Sequence, residues 1–137
     1  MRATRKTTQL QGWGIALLRV VTGYLFLASG VHKLFIDDLF QPDSSLAVPI
    51  IVVSSLGELL FGAAVIVGLL TRWASIPLAI LMLADIVVVH PPYGFFAQDH
   101  GFEYASLRLA ACITLALVGS DKVALDNVLA VRRRRPK

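Results

Sequence analysis

The chain has 137 residues, 56% hydrophobic and 16% charged, with a formal net charge of +4. A soluble domain is nearer half apolar and a quarter charged, so this composition, with its apolar residues in blocks, excludes an ordinary soluble protein and fits one integral membrane domain over residues 1–137. The positive charge does not indicate nucleic acid, because it sits at the ends: Arg2, Arg5 and Lys6 at one, and the basic tail 132–137 at the other.

Four apolar stretches follow in chain order, at about residues 13–35, 48–70, 73–90 and 104–119. Each is close to the roughly 20 residues that cross a bilayer as a helix. The first resembles a secretory signal in its basic start, but Arg19 interrupts its apolar centre and the stretch outruns a signal core, so it is read as a retained span. Pro49 suits the first turn of the second helix, Pro77 is expected to kink the third, and Pro91-Pro92 to end it. The first loop carries Asp37, Asp38 and Asp43 and no base, the third carries Asp99, and the tight second turn holds Arg72. The positive-inside rule then places both termini and the second turn in the cytoplasm. The third loop, rich in Pro, Gly and Phe, is expected at the membrane interface.

Each span also carries an ionised residue well inside it: Arg19, Glu58, Asp85 and Arg108. A charge at the bilayer centre costs at least about 2.5–3.5 kcal/mol, so such residues face protein or a cavity. Helical spacing puts Arg19, Gly23, Phe26, Gly30 and Lys33 on one face of the first span, and Ser54, Glu58, Gly62 and Val65 on one face of the second. Tyr104, Arg108, Cys112, Leu115 and Gly119 share a face of the fourth. The small residues Gly23, Gly30, Gly62 and Gly119 are the expected helix-packing positions. Depth counted along the helices predicts the pairs Arg19–Glu58 and Asp85–Arg108. Two readings of the charges stay open: a clamp that fixes helix register, or a site for a proton, an ion or a polar headgroup such as a quinone.

Cys112 is the sole cysteine, which excludes an intrachain disulfide, a C-x-x-C pair and a cysteine-held zinc site. It reads as a buried, unreactive side chain. His32, His90 and His100 all map to the outer side, but His32 sits away from the Arg19–Lys33 face and His100 lies in a loop, which argues against a b-type haem or a metal site. No phosphate loop, nucleophile elbow or paired-histidine motif is present, so no catalytic constellation is legible.

The order of these features resembles one known family. Residues 17–34, with Arg19, Gly23, Phe26, Gly30 and Lys33 as R-x3-G-x2-F-x3-G-x2-K, resemble the opening helix of the DoxX family. Glu58, Gly62, Gly68, Leu69, Thr71 and Arg72 match its E-x3-G-x5-G-L-x-T-R run, and Gly94 to Phe96, Glu103-Tyr104 and Leu125-Asp126 follow in order. Asp85 and Arg108 depart from the pattern, standing where many members are apolar. The resemblance implies small four-helix proteins of the bacterial or archaeal inner membrane, named for a subunit associated with a quinol oxidase and a thiosulfate:quinone oxidoreductase.

The expectation is therefore an all-α, four-helix transmembrane bundle with both termini cytoplasmic. Its intramembrane polar site comprises Arg19, Lys33, Glu58, Asp85, Glu103 and Arg108. The resemblance implies a membrane subunit or adaptor of a quinone-linked redox complex, in contact with lipid and redox-enzyme subunits and compatible with a homo-oligomer. Quinone is the one cofactor it admits. The alternative is a small transporter-like protein that passes a ligand or proton through a polar interior.

Overall fold

A computed structural model of the chain describes residues 2–35, 47–89, 94–99, 101–119 and 124. The acidic first loop, His90, Pro91-Pro92, His100, Leu125-Asp126 and the basic tail, all of which entered the sequence reading, lie outside these residues. Among the described residues four α-helices form: α1 (Arg2–Phe35), α2 (Ala47–Val67), α3 (Thr71–Ala84) and α4 (Glu103–Val118). A π-helical turn, Asp85–Val89, extends α3, and a short 3-10 turn, Ala97–Asp99, precedes α4. No strand is present among the described residues.

Three of these helices are long and apolar enough to cross a membrane, over Leu10–Phe35, Pro49–Val67 and Thr71–Val88. The fourth has 16 residues. The helices pack in sequence order, α1 on α2, α2 on α3 and α3 on α4, and α4 closes against α1. Consecutive helices are antiparallel, as short connections require of a bundle. The α1–α2 and α3–α4 connections therefore share one end, the loop end, and the α2–α3 turn marks the other, the termini end.

The outward faces carry large apolar side chains, among them Leu17, Tyr24, Leu60, Trp73, Ile80, Leu107 and Leu117, all exposed in the isolated chain. A bundle that is apolar outside and polar within is suited to lipid as its solvent. The apolar core is small: Phe26, Val65, Ala74, Leu78, Met82, Cys112 and Leu115. Between lipid and a thin core, close backbone approach does much of the packing. A Cβ on Gly23 would lie 2.7 Å from the Gly62 carbonyl oxygen and 2.6 Å from Ile66 Cγ1; one on Gly30 would lie 2.9 Å from the Ser55 carbonyl oxygen. All three distances are below what real Cβ atoms tolerate, so α1 and α2 touch backbone to backbone at two points on one face.

The helix ends explain where the spans stop. Gly68 ends α2 with φ +76°, its N–H shared between the Val65 carbonyl at 3.1 Å and the Ala64 carbonyl at 3.0 Å, while Leu69 N–H reaches Ala64 O at 2.9 Å. This is the Schellman arrangement, for which glycine carries the left-handed residue at no steric cost. It ends α2 at Val67, short of residue 70. Leu70 follows in the left-handed region at φ +49° and leads directly into α3. Pro77 lies inside α3, which continues as one helix through it to Ala84. The departure from α-helical winding comes at Asp85, whose N–H reaches both Leu81 and Met82 carbonyls.

Candidate functional site

The face of α1 that carries Arg19, Gly23, Phe26 and Gly30 is buried, and Lys33 at its loop end is partly exposed. The opposing face of α2 carries Ser55, Glu58, Gly62 and Val65, all buried, whereas Ser54 is only half-buried and bonds its own helix at Ile51 O, 2.9 Å away. Ser55 thus takes the place that spacing alone gave to Ser54. The signal was available: Ser55, Glu58, Gly62 and Val65 follow the 3-4-3 spacing of a helix seam.

Glu58 is at the centre of the site. Its side chain is 1% exposed and its Oε1 accepts from Lys33 Nζ at 2.7 Å, the Lys33 side chain being 33% exposed. The expected Arg19–Glu58 pair is therefore replaced by Lys33–Glu58. The reason is direction: side chains on a helix lean toward its N-terminus. Lys33, one turn beyond Gly30, leans back into the bundle toward Glu58, which leans toward it from antiparallel α2. Arg19 leans the other way.

Arg19 instead reaches the termini end, where its Nη1 donates to Ile66 O at 2.8 Å and Val65 O at 3.2 Å. These carbonyls belong to the last turn of α2, where the partial negative charge of the helix dipole collects and favours a buried guanidinium. Gly68 makes room for it: a Cβ at that position would fall on the guanidinium and 2.7 Å from Ala124 Cβ. Arg72 repeats the device at the same end, donating from Nε to Ala116 O at 2.9 Å and from Nη2 to Leu117 O at 2.7 Å, the last turn of α4. One cap is buried and the other exposed. Arg19→Gln should therefore cost about 2 kcal/mol, and Arg72→Gln well under about 1 kcal/mol. Thermal unfolding of the purified variants in detergent checks this order.

Arg108 does not meet Asp85. Its Nη1 donates to Ser29 Oγ on α1 at 2.7 Å and its guanidinium lies over the Phe26 ring, 5.8 Å from the centroid. A cation over an aromatic face gains stabilisation without a counter-charge. The depth count that paired it with Asp85 assumed regular α-helix throughout, and the π turn that begins at Asp85 breaks that register. Glu103, expected within the polar site, is exposed at the start of α4, where its Oε2 accepts from Ala97 N–H at 3.0 Å and ties down the loop. Phe95 stacks edge-on against Phe96 and Phe102 in that loop, which keeps a compact aromatic surface at the loop end. Gly119 does not pack closely: it terminates α4 with φ +83°, its nearest neighbour for a Cβ being Arg72 Nε at 3.8 Å.

The site is incompletely satisfied. Glu58 Oε2, Ser55 Oγ and Arg108 Nε are buried and have no hydrogen-bond partner. Among the described residues no three His, Cys, Asp or Glu side chains converge as metal ligands do. The arrangement can hold a charge, exchange a proton or hydrogen-bond a polar group.

Comparison with known proteins gives a consistent result. The DoxX family model matches residues 14–91, which include α2, α3 and most of α1. A Bacillus subtilis protein provisionally named oxidoreductase CatD is 33% identical over 116 residues, covering 82% of this chain and 84% of its own. An uncharacterized Haemophilus influenzae protein is 26% identical, covering 90% of this chain and 91% of its own. An uncharacterized membrane protein of Mycobacterium tuberculosis is 27% identical, covering 86% and 82%. No solved structure matches the chain significantly.

Proposed function

Because the chain belongs to the DoxX family of membrane proteins, we propose that it serves as a membrane-embedded subunit or adaptor of a quinone-linked redox complex in the bacterial or archaeal inner membrane. The observation that carries this reading is the half-used Glu58 carboxylate. A clamp built only for stability would engage both oxygens. Leaving buried Oε2 and Ser55 Oγ unsatisfied costs about 1–3 kcal/mol each, a cost usually met where function requires it. A redox subunit has a use for such a group, because quinone chemistry moves protons together with electrons. The hydroxyl of Ser55 and the free oxygen of Glu58 are a donor and an acceptor of the kind a quinone or quinol headgroup engages. When bound, a quinone supplies the electron carriage, and the chain's own residues hydrogen-bond its headgroup and hold or release a proton. The name of the Bacillus subtilis relative supports the redox assignment.

Purification of the tagged protein from its native membrane tests the reading. The expected result is a stoichiometric flavin- or haem-containing dehydrogenase or oxidase that reduces or oxidises quinone, with activity reduced when this chain is deleted. Recovery of the chain alone, with substrate flux in vesicles that hold nothing else, would contradict it and favour the transporter-like alternative. Orientation is tested by reporter fusions at Lys137 and in loop 37–43, which should report opposite sides, with Lys137 cytoplasmic.

A further inference from the structure

Among the described helices α1 is the longest, with 34 residues, and it outruns the bundle at the termini end. Where α2 ends, at Val67, α1 stands near Arg19, which meets the Val65 and Ile66 carbonyls. The helix from Arg2 to Arg19 therefore runs about 25 Å past that level. A Cβ on Gly12 or Gly14 would meet nothing within 4 Å, so this end of α1 stands clear of the other described elements.

The outward face of α1 carries Leu10, Trp13, Leu17 and Tyr24, which are 64% to 73% exposed. Lys6 and Arg2 lie four and eight residues before Leu10, a spacing that continues this same face turn by turn. The face that packs on the bundle runs through Phe26, Arg19 and Ile15, and its register is continued by the uncharged Thr8 and Thr4. Arg5 occupies the flank between the two. Positions 2 and 6 thus stand over the surrounding lipid and not over the protein. Their depth fits as well. The apolar stretch Leu10–Phe35 has 26 residues, about 39 Å of helix against a hydrocarbon core of about 30 Å, so it reaches the core boundary at this end. Lys6 and Arg2 fall about 6 and 12 Å beyond Leu10, where the headgroup layer is about 5–8 Å deep, and a tilt that accommodates the excess length brings both nearer.

No acidic residue occurs anywhere in α1, so nothing within the helix offsets Arg2, Arg5 and Lys6, and the positive end of the helix dipole adds to their charge. Ala124, packed at Gly68, brings the chain beyond α4 to the same end, and Arg132 to Arg135 follow it in sequence. We propose that the N-terminal end of α1 is a docking surface for anionic phospholipid. The headgroup phosphate is held at the level of Arg2 and Lys6, and an acyl chain lies along Leu10, Trp13 and Leu17. A zwitterionic lipid brings its own cation beside the phosphate, so the surface selects the anionic headgroup. This role is independent of whether a redox partner docks.

The chain has two tryptophans, Trp13 and Trp73, which permits a local test. Trp73→Phe leaves Trp13, on the face in question, as the single fluorophore, and Trp73 is itself 69% exposed, so the change removes little packing. The whole chain, tagged at its C-terminus, is reconstituted in mixed phosphatidylcholine and phosphatidylglycerol bilayers in which one lipid or the other carries brominated acyl chains that quench a neighbouring indole. At equal mole fraction, brominated phosphatidylglycerol should quench Trp13 as if enriched at least about fivefold over phosphatidylcholine, and added salt should shrink the difference. Arg2→Thr, Thr4→Arg, Lys6→Thr and Thr8→Lys together keep composition and net charge but move two cations to the opposite face. In that variant, shown to be helical by circular dichroism, quenching by the two lipids should become nearly equal. Equal quenching before any relocation would overturn the proposal and leave an acidic protein as the partner for this end. A preference that survives the relocation would also overturn it, because total charge and not this face would then be attracting the lipid.

Discussion

Lys33→Met is expected to cost about 3 kcal/mol of folded stability, and Lys33→Met with Glu58→Gln to recover a large part of it. Removing one partner of a buried ion pair leaves an uncompensated charge and typically costs about 3–5 kcal/mol, whereas removing both leaves two neutral groups. The lower end applies because the ammonium is partly exposed and water offsets some of its loss. Glu58→Gln alone is expected to be milder than Lys33→Met: it strands a lysine that can extend toward solvent from the end of α1, and not a carboxylate enclosed between helices. The measurement is a double-mutant cycle on unfolding in mixed micelles. The coupling between positions 33 and 58 should be clearly favourable, and that between positions 19 and 58 near zero. A large 19–58 coupling would reinstate the pairing that depth alone suggested.

Gly23→Val should be the most damaging single substitution on the α1–α2 seam. The new Cβ would stand 2.7 Å from a backbone oxygen and 3.0 Å from the Ile66 backbone nitrogen, so no rotamer change can relieve it. The helices must separate, which strips contacts from Phe26 and Val65 in the core and shifts Ser55 and Glu58 relative to Lys33. Overpacking of a dense interior costs about 1–3 kcal/mol, and the upper part of that range applies where backbone is the obstacle. Gly57→Ala on α2 is the control: its nearest neighbour is a leucine methyl at 3.3 Å, a flexible side-chain end. Size-exclusion profiles and unfolding midpoints of the two variants should differ sharply, with Gly57→Ala near wild type.

The four helices and the buried faces were legible because both depend on the spacing of apolar and small residues, which survives projection onto one dimension. The helix ends were legible less well. The stop at Val67 depends on Gly68 entering the left-handed region, a property of three-dimensional capping that an apolar run continuing to Leu70 conceals. The ion-pair partners were misassigned for a definite reason. Counting rise per residue places Cα atoms, whereas Arg and Lys carry their charge several ångströms away, always leaning toward the helix N-terminus. Applied to α1, that lean moves Arg19 away from Glu58 and brings Lys33 to it. The role of Arg19 as a cap on the α2 carbonyls, and that of Arg72 on α4, needed knowledge of which helix ends lie side by side. Ser29 as the partner of Arg108 depended likewise on the α1–α4 contact, which no spacing within one helix reveals.

The identity of the partner of Glu58 decides between a site open to exchange at the loop end and a charge locked at the termini end. Solid-state NMR dipolar recoupling between 15N-labelled lysine side chains and the 13C carboxyl of glutamate, in lipid bilayers, reads it without any substitution at the site. Strong dephasing of the Glu58 carboxyl by lysine Nζ, at the separation a 2.7 Å N–O contact implies, is the predicted result. Dephasing by labelled arginine with none from lysine would contradict it and return the carboxylate to Arg19.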